Sequence, residues 1–252
     1  MTKKGKKRSK ILKEQRKTTW SPTKEVMYRI ITQIIREPLT KKRLFWEVKN
    51  RLAPRKGREE LYKYWKKPYG LNLPEDYLKV KDLRTVFLTR LVEKYADHQA
   101  NILEIGCNVG RNLNSLLLSG FKHLHGIEIN KTALELMKKE YPELARIGTY
   151  FNAPVETVIK TLDDDSYDVV FTMAVLEHIH PSSSFVFKEM VRITRRYIIT
   201  IEGERNISWR SFPRNYEKIF IPLGMKQIEK VSGSYMKKIG LPSYITRVFL
   251  KV

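Results

Sequence analysis

From residue 101 onward, short apolar runs alternate with segments of helical periodicity, and this alternation constrains the fold more than any other feature. The apolar runs predict strands at 102–105, 123–129, 145–151, 167–173 and 197–202. The segments between them predict helices at 112–118, 132–140, 155–162 and 182–193. Strands separated by crossover helices indicate a parallel, doubly wound sheet of the α/β class.

Both ends of this alternating region differ from its middle. Two further strands, at 225–231 and 245–252, are joined by a loop that contains glycine and proline, which predicts an antiparallel pair at one sheet edge. Before the first strand, a helix is predicted over 82–95. The residues that stand at helical i, i+3, i+4 spacing are Leu83, Val86, Phe87, Arg90 and Leu91.

Most of the positive charge lies before the α/β region. Residues 1–67 hold 23 Lys/Arg and 6 Asp/Glu, a net +17 of the chain's total +22. We therefore divide the chain into a basic N-terminal extension, 1–76, and a domain, 77–252. Residues 1–19 are expected to be disordered, and apolar stripes at 27–35 and 44–52 predict two helices after them. The charge of the extension suits binding to an anionic membrane surface or to nucleic acid, and the alternative is that it only aids solubility. Its two helices are expected to pack on the domain, to pack on a second copy of the chain or to lie at a membrane interface.

The sequence contains no signal for a membrane span or for secretion. No apolar run approaches the roughly 18–20 residues that cross a bilayer, and no apolar stretch follows the basic N-terminus. The single cysteine, Cys107, excludes an internal disulfide. These features predict a cytoplasmic protein and leave open peripheral association with the inner membrane surface.

Glycine, acidic and amide residues follow three consecutive strands, at the ends where open α/β sheets bind ligands. Gly106 and Gly110 after the first strand permit a sharp turn and close approach of a ligand. Glu128 closes the second strand, where a carboxylate can accept both ribose hydroxyls of a nucleoside. Asn152 after the third strand offers a donor and an acceptor to an adenine edge. Because Asn108 stands where the dinucleotide fingerprint needs glycine, the pattern disfavours NAD and FAD.

These motifs, in this order, resemble the class I S-adenosylmethionine (SAM)-dependent methyltransferases. Segment 102–113 is similar to the family's first motif, 126–129 to its acidic second motif, 152–153 to its adenine-contact position and 166–179 to its fourth-strand motif. The resemblance covers 77–252, and the variant at 107–113 is similar to methylases of bacterial surface-sugar and glycan pathways. It implies a Rossmann-like, seven-stranded sheet of order 3-2-1-4-5-7-6 with the last strand antiparallel, and SAM as cofactor. The cofactor-binding residues that it implies are Glu104, Gly106, Cys107, Gly110, Glu128, Ile129, Asn152, Ala153, Met173 and Ala174.

Transfer of a methyl group from a sulfonium depends mainly on positioning the two reactants. A hydroxyl or amine acceptor also needs a base, and His178 and His180 are the nearest candidate catalytic residues. For His178, a structural role in its loop is the alternative. Cys107 is interpreted as a packing residue rather than a nucleophile. The acidic run 163–165 is interpreted as a solvated turn, and no metal site is predicted.

The acceptor is expected above the sheet, between an aromatic segment at 61–69 and the segment 204–220. Arginines interleaved with aromatic residues suit an anionic or sugar-like acceptor. The candidate substrate residues are Arg205, Trp209, Arg210 and Tyr216. We interpret the chain as a SAM-dependent methyltransferase for a small-molecule or glycan-like, anionic acceptor. The alternatives are an RNA- or ribosome-associated methyltransferase that uses the basic arm, and a non-catalytic scaffold that binds anionic lipid or nucleic acid.

Overall fold

The computed structural model describes residues 55–69, 72–78 and 83–252. The disorder predicted for 1–19 and the helices predicted at 27–35 and 44–52 lie outside these residues. The chain divides into two compact units, of which the larger comprises 57–206 and 211–252. Residues 55–56 and 207–210 belong to the smaller unit.

The larger unit contains seven strands and ten α-helices among the described residues. The strands are β1 (Asn101–Ile105), β2 (His123–Ile127), β3 (Thr149–Phe151), β4 (Tyr167–Met173), β5 (Thr194–Glu202), β6 (Met225–Val231) and β7 (Ile245–Lys251). The helices that precede the sheet are α1 (Arg58–Lys66), α2 (Pro74–Leu78) and α3 (Leu83–Tyr95). The later helices are α4 (Arg111–Leu118), α5 (Lys131–Glu140), α6 (Pro142–Ile147), α7 (Val155–Val158), α8 (Phe185–Ile193), α9 (Tyr216–Phe220) and α10 (Ser234–Lys238).

All seven strands form one sheet of order β3-β2-β1-β4-β5-β7-β6. The first five strands pair in parallel, whereas β7 is antiparallel to both β5 and β6. The predicted fold class, strand order and antiparallel last strand are therefore confirmed. The central strands β1 and β4 are buried on both faces, which explains why they consist of continuous apolar runs. The carboxyl ends of the parallel strands share one edge of the sheet, and the polar residues described below lie at this edge.

The buried face predicted for the helix before the first strand is partly wrong, although Leu91 is buried and Phe87 packs against the core as expected. On α3, Leu83 and Val86 are 60% and 46% exposed, whereas Thr85, Leu88 and Val92 are buried. Two threonines lie on the buried face because their hydroxyls find polar partners on α4. Burial of a hydroxyl costs little once it is hydrogen-bonded, so hydrophobicity alone did not mark this face.

The strand predicted over 145–151 is also partly wrong. Its first residues belong to helix α6, and only Thr149–Phe151 form β3. Pro142 at the first helical position favours this helix, and Glu143 forms an ion pair with Arg146 one turn later. The predicted helices at 155–162 and 182–193 are shorter than expected, because α7 ends at Val158 and α8 begins at Phe185.

Helix α1 lies in the same compact unit as the sheet, although the sequence assigns it to the N-terminal extension. Its Leu61 and Tyr64 side chains are buried. Partial burial, together with the nearby Glu156 carboxyl of α7, raises the pKa of Tyr62 on the same helix to about 12. The division of the chain at residue 76 stays a prediction. Within the described ranges, no helix is long and apolar enough to cross a bilayer.

Candidate functional site

A loop with three left-handed residues joins β1 to α4 at the carboxyl edge of the sheet. Gly106, Asn108 and Gly110 have φ angles of 75°, 50° and 70°. A Cβ on Gly106 would collide with Val175, and one on Gly110 would lie 2.8 Å from the Met137 sulfur. Both glycines are therefore required for their backbone conformation and for the space around them.

The same loop is fastened to the end of β2. The backbone amides of Gly106 and Cys107 both donate to the Ile127 carbonyl, at 2.8 and 3.1 Å. The Cys107 thiol is buried and fills the space above Gly126, where a Cβ would lie only 2.6 Å from the sulfur. Burial raises the pKa of the Cys107 thiol well above its usual value. A protonated, enclosed thiol agrees with the packing role predicted for Cys107 and not with a nucleophile.

Glu104, near the end of β1, has one carboxyl oxygen engaged and one without a partner. Glu104 is only 2% exposed. Oε1 accepts a hydrogen bond of 2.7 Å from the Asn112 amide, whereas Oε2 is buried and has no hydrogen-bond partner among the described residues. Burial raises the pKa of Glu104 to about 8, although the Asn112 hydrogen bond and the Arg111 charge act in the opposite direction. A buried oxygen in this state costs about 1–3 kcal/mol, so it suits a site in which a ligand supplies the missing donor.

Glu128 follows β2 directly, and backbone amides hold its carboxyl in place. Oε1 accepts from the Asn130 amide at 2.7 Å, and Oε2 accepts from the Asn108 amide at 2.8 Å. Burial raises the pKa of Glu128, against the effect of these hydrogen bonds. The bond to Asn108 connects the carboxyl directly to the glycine loop. Because each carboxylate oxygen can accept more than one hydrogen bond, both oxygens retain capacity for a ligand.

Asn152 and Ala153 follow β3, next to the end of β2. The Asn152 side-chain amide donates to the Glu128 carbonyl at 2.9 Å. Asn152 itself is exposed, and Ala153 and Ile129 are half-buried. The structure therefore brings together the residues after β1, β2 and β3 that the sequence predicted as cofactor-binding.

The segment after β4 lies over the glycine loop. Ala174 has a φ of 60°, a left-handed conformation that costs an L-residue about 1–3 kcal/mol. Its amide donates to the Ile201 carbonyl of β5 at 2.9 Å. The next side chain, Val175, is the one that a Cβ on Gly106 would strike. Met173 and Ala174 are half-buried at this position.

Glu202, the last residue of β5, holds this segment in place, and the sequence reasoning missed it. The fully buried carboxyl accepts from the Thr172 hydroxyl at 2.8 Å and from the Val175 and Glu177 amides at 3.1 and 3.2 Å. Burial, together with the neighbouring Glu177 carboxyl, raises the pKa of Glu202 to about 8. Its position at the carboxyl end of a parallel strand, as for Glu104 and Glu128, was a signal that could have found it.

His178 lies between a carboxylate and an indole ring. Its side chain is 11% exposed, with Nε2 3.5 Å from Glu177 Oε1. Its ring centroid is 4.7 Å from that of Trp65 on α1. The Glu177 carboxyl accepts in turn from the Tyr244 hydroxyl at 3.0 Å and from the Asn206 amide at 3.3 Å. These contacts fix the orientation of the His178 ring.

His180 has a local structural contact. Its Nδ1 accepts from the Ser182 amide at 3.2 Å and lies 2.8 Å from the Ser182 hydroxyl. The side chain thereby caps the turn Pro181–Ser183. A catalytic role for His180 stays a prediction, with one ring nitrogen already engaged.

A comparison with known protein families identifies the domain that contains these residues. Residues 103–197 match the family model of a methyltransferase domain. The match identifies a methyltransferase domain in this part of the chain. The matched residues include the glycine loop, Glu128, Asn152 and the segment after β4. A methyltransferase domain agrees with the SAM cofactor that the sequence resemblance implied.

Solved structures share the fold of this methyltransferase. 1,6-didemethyltoxoflavin-N1-methyltransferase from Burkholderia thailandensis aligns with a TM-score of 0.60 and 14% identity over 79% of this chain and 92% of that one. Magnesium protoporphyrin IX methyltransferase from Synechocystis PCC 6803 aligns with a TM-score of 0.58 and 14% identity over 77% and 96%. The [4+2]-cyclase SpnF is similar as well, with a TM-score of 0.53 and 12% identity over 66% and 80%. At such identities the likeness shows the fold alone. No curated protein sequence matches the chain.

The residues predicted to bind the methyl acceptor are divided between the two units, with Arg205 and Tyr216 in the larger one and Trp209 and Arg210 in the smaller one. Arg205 is exposed on the segment after β5. Trp209 and Arg210 belong to the smaller unit, where the Arg210 guanidinium lies 5.9 Å from the Trp209 ring centroid. Tyr216 is fully buried and stacks on Phe220 in the core, and its role as a substrate residue stays a prediction. An aromatic residue among arginines can belong to the core, and the local pattern does not distinguish the two cases.

No metal centre is evident in the part of the chain that the structure describes. There, no group of three or more His, Cys, Asp or Glu side chains is arranged to hold a metal ion. In the acidic run 163–165, Asp164 pairs with Arg192 at 2.5 Å and Asp165 pairs with Lys251 at 2.6 Å. These aspartates therefore take part in surface ion pairs.

Proposed function

We propose that this methyltransferase binds SAM across the carboxyl ends of β1 to β4 and transfers its methyl group to a small-molecule or glycan-like, anionic acceptor. The observation that carries the proposal is the buried Glu104 Oε2, which has no partner among the described residues and lies beside the glycine loop. An α-ammonium group, such as that of SAM, is the kind of donor that this oxygen needs. The proposed cofactor-binding residues are Glu104, Gly106, Cys107, Gly110, Glu128, Ile129, Asn152, Ala153, Met173 and Ala174.

Each part of the site has a separate task in this proposal. SAM, when bound, supplies an activated methyl group on its sulfonium. Glu128 accepts the ribose hydroxyls, and its orientation is already fixed by two backbone amides. Asn152 offers its amide to the adenine edge, while Ala174 and Val175 close over the glycine loop. Fixed groups of this kind accelerate transfer mainly by holding the methyl donor and the acceptor in line.

His178 is the proposed base for an acceptor that must lose a proton. Its support is the contact of Nε2 with Glu177 and the packing of its ring on Trp65, which together orient the imidazole. An oriented base contributes typically 10²–10⁴-fold to such a step. Replacing His178 by Gln should therefore lower the transfer rate while affinity for S-adenosylhomocysteine is retained. An unchanged transfer rate would leave His178 with a structural role.

Charge and the compared enzymes support the class of acceptor. The chain carries a net +22, Arg205 is exposed on the segment after β5, and the smaller unit holds the Arg210–Trp209 pair. Guanidinium groups bind carboxylate and phosphate, and aromatic rings stack on sugar rings. The Burkholderia structure contains bound 1,6-didemethyltoxoflavin, and the Synechocystis enzyme is named for magnesium protoporphyrin IX. Both names support a small-molecule acceptor.

Calorimetry with S-adenosylhomocysteine tests the cofactor part of the proposal. The intact protein should bind this product, and Gly106→Arg should abolish binding because a side chain there meets Val175. Gly57→Arg is the matched control, since a Cβ at Gly57 meets nothing within 4 Å. Absence of binding by the intact protein, or equal binding by the Gly106 variant, would overturn the proposal.

Transfer of labelled methyl from SAM into a fractionated lysate tests the acceptor part. Label is expected in small molecules or glycans that an anion exchanger retains. Entry of label into RNA would replace the proposed acceptor with an RNA or ribosomal one, for which the basic arm would supply phosphate contacts. Binding of S-adenosylhomocysteine without transfer into any fraction would favour the non-catalytic scaffold.

A further inference from the structure

A chain of two buried hydrogen bonds connects helix α3 to the Glu104 carboxyl. The Thr85 hydroxyl donates to Asn112 Oδ1 at 2.9 Å, and Asn112 Nδ2 donates to Glu104 Oε1 at 2.7 Å. All three residues are buried. Thr85 lies outside the motifs at the strand ends, because it precedes Asn112 by 27 positions and comes from a different helix.

These two hydrogen bonds fix the orientation of the Asn112 side-chain amide. A side-chain amide has an acceptor oxygen and a donor nitrogen on opposite sides. Because the Thr85 hydroxyl occupies the oxygen, the nitrogen is directed at Glu104. Glu104 Oε1 is thereby held, and the carboxyl cannot rotate without breaking this bond. The remaining oxygen, Oε2, stays without a partner among the described residues.

We propose that Thr85 and Asn112 are positioning residues for the α-ammonium group of SAM, acting through Glu104. Resting on the proposed function, this inference adds that α3 contributes to the selection of ligands that carry an amino-acid group. The adenosine part of the cofactor is held by other residues, after β2 and β3. Loss of the α3 contact should therefore weaken only the interaction with the amino-acid end.

A purely structural role explains the hydrogen bonds from Thr85 through Asn112 to Glu104 less well. Polar groups that serve only to join two helices are expected to satisfy each other. One turn along α3, Thr89 does this, because its hydroxyl lies 2.9 Å from the Ser115 hydroxyl of α4 and no carboxyl takes part. The Thr85 chain instead ends on a carboxyl with a buried, unpartnered oxygen, which a structural contact does not need.

Thr85 and Thr89 form a matched pair for an experiment. Both lie on α3, both are 6% exposed, and both contact a polar side chain of α4. Replacing either residue by Val removes the hydroxyl and keeps the shape of the side chain. Two ligands complete the design: S-adenosylhomocysteine, which carries the amino-acid group, and 5′-methylthioadenosine, which lacks it.

Calorimetry on the full-length protein gives the result expected from the proposal. Thr85→Val should bind S-adenosylhomocysteine about tenfold more weakly, the effect of losing one hydrogen bond that orients a charged group. Its affinity for 5′-methylthioadenosine should stay within about twofold of the parent's. Thr89→Val should resemble the parent with both ligands, and Thr85→Ser, which restores a hydroxyl, should recover the affinity for S-adenosylhomocysteine.

Three results would overturn the inference. Thr85→Val could lose affinity equally for both ligands, could lose none, or could match Thr89→Val. In each case the hydrogen-bond chain would have no selective effect on the amino-acid end. Failure of the parent protein to bind S-adenosylhomocysteine is a different outcome, which would overturn the proposed function itself.

Discussion

Glu104 and Glu202 occupy corresponding places in the sheet, near the carboxyl ends of β1 and β5, and burial raises the pKa of each to about 8. Their hydrogen bonds differ. Both oxygens of Glu202 accept hydrogen bonds, from the Thr172 hydroxyl and from the backbone amides after β4. Glu104 accepts a single hydrogen bond, from Asn112, and its second oxygen has no partner among the described residues.

This difference separates a structural carboxyl from one that awaits a ligand. Glu202 is satisfied by the protein and holds the segment that covers the glycine loop. Glu104 has the same burial without the same compensation, so the folded state carries its cost until a donor binds. The predictions below use the two residues as references for each other.

The largest expected effect is the loss of stability on replacing Glu202 by Leu. Leu removes both acceptors, so the hydrogen bonds that the carboxyl receives from the Val175 and Glu177 amides are lost. We expect the free energy of unfolding to fall by about 3 kcal/mol, measured by urea denaturation. Glu202→Gln, which keeps one oxygen, is the control and should fall much less. Equal losses for Leu and Gln would show that charge, rather than hydrogen bonding, is what Glu202 contributes.

Replacing Glu104 by Gln should act on binding rather than on folding. The variant cannot offer a negative charge to an ammonium group, so affinity for S-adenosylhomocysteine should fall about 30-fold, as expected for a charged hydrogen bond. Urea denaturation should show a smaller loss of stability than Glu202→Leu, because no backbone amide depends on Glu104. If Glu104→Gln instead unfolds the protein as readily as Glu202→Leu, the contrast between the two residues fails.

The pH dependence of binding should follow the Glu104 carboxyl. With the pKa of Glu104 at about 8 in the free protein, the group is mostly protonated at pH 7, and an ammonium ligand must displace that proton. Affinity should therefore fall as the pH falls, by about eightfold from pH 7 to pH 6, where the ligand's amino group stays almost fully protonated. Calorimetry in buffers of different ionisation enthalpy should show proton release on binding. In Glu104→Gln both the slope and the release should disappear, and their persistence would assign them to another group.

The smallest expected effect comes from Thr172→Val, which removes one of the hydrogen bonds that Glu202 accepts. The two backbone amides still engage the carboxyl, so the free energy of unfolding should fall by only about 1 kcal/mol. Thermal or urea denaturation of the single variant and of a Thr172→Val, Glu202→Leu double variant gives the coupling. Additive losses would contradict the direct contact between the two side chains.

Local pattern was sufficient for the fold and for part of the site. Apolar runs with crossover segments predicted the sheet, because strands buried on both faces are uniformly apolar. Gly106 and Gly110 could be predicted because their positive φ angles and close neighbours exclude other residues. Glu128 and Asn152 followed from their positions at strand ends.

Contacts between distant positions could not be predicted in this way. Glu202 and Thr172 are 30 positions apart, and Thr85 and Asn112 are 27 apart, so no local spacing marks them. Buried threonines and glutamates resemble surface residues in a hydropathy pattern, which is why the buried face of α3 was misassigned. The burial of Tyr216 could not be predicted either, since the arginines near it in the sequence favoured an exposed position.

Because Cys107 is enclosed, its reaction with a thiol reagent can report on opening of the glycine loop. It is the only cysteine of the 252 residues, and its thiol lies between the glycine loop and Gly126. A thiol reagent can reach it only when the first turn of the cofactor loop separates from β2. The labelling rate therefore measures how often the loop opens, and bound cofactor should slow labelling in proportion to its occupancy.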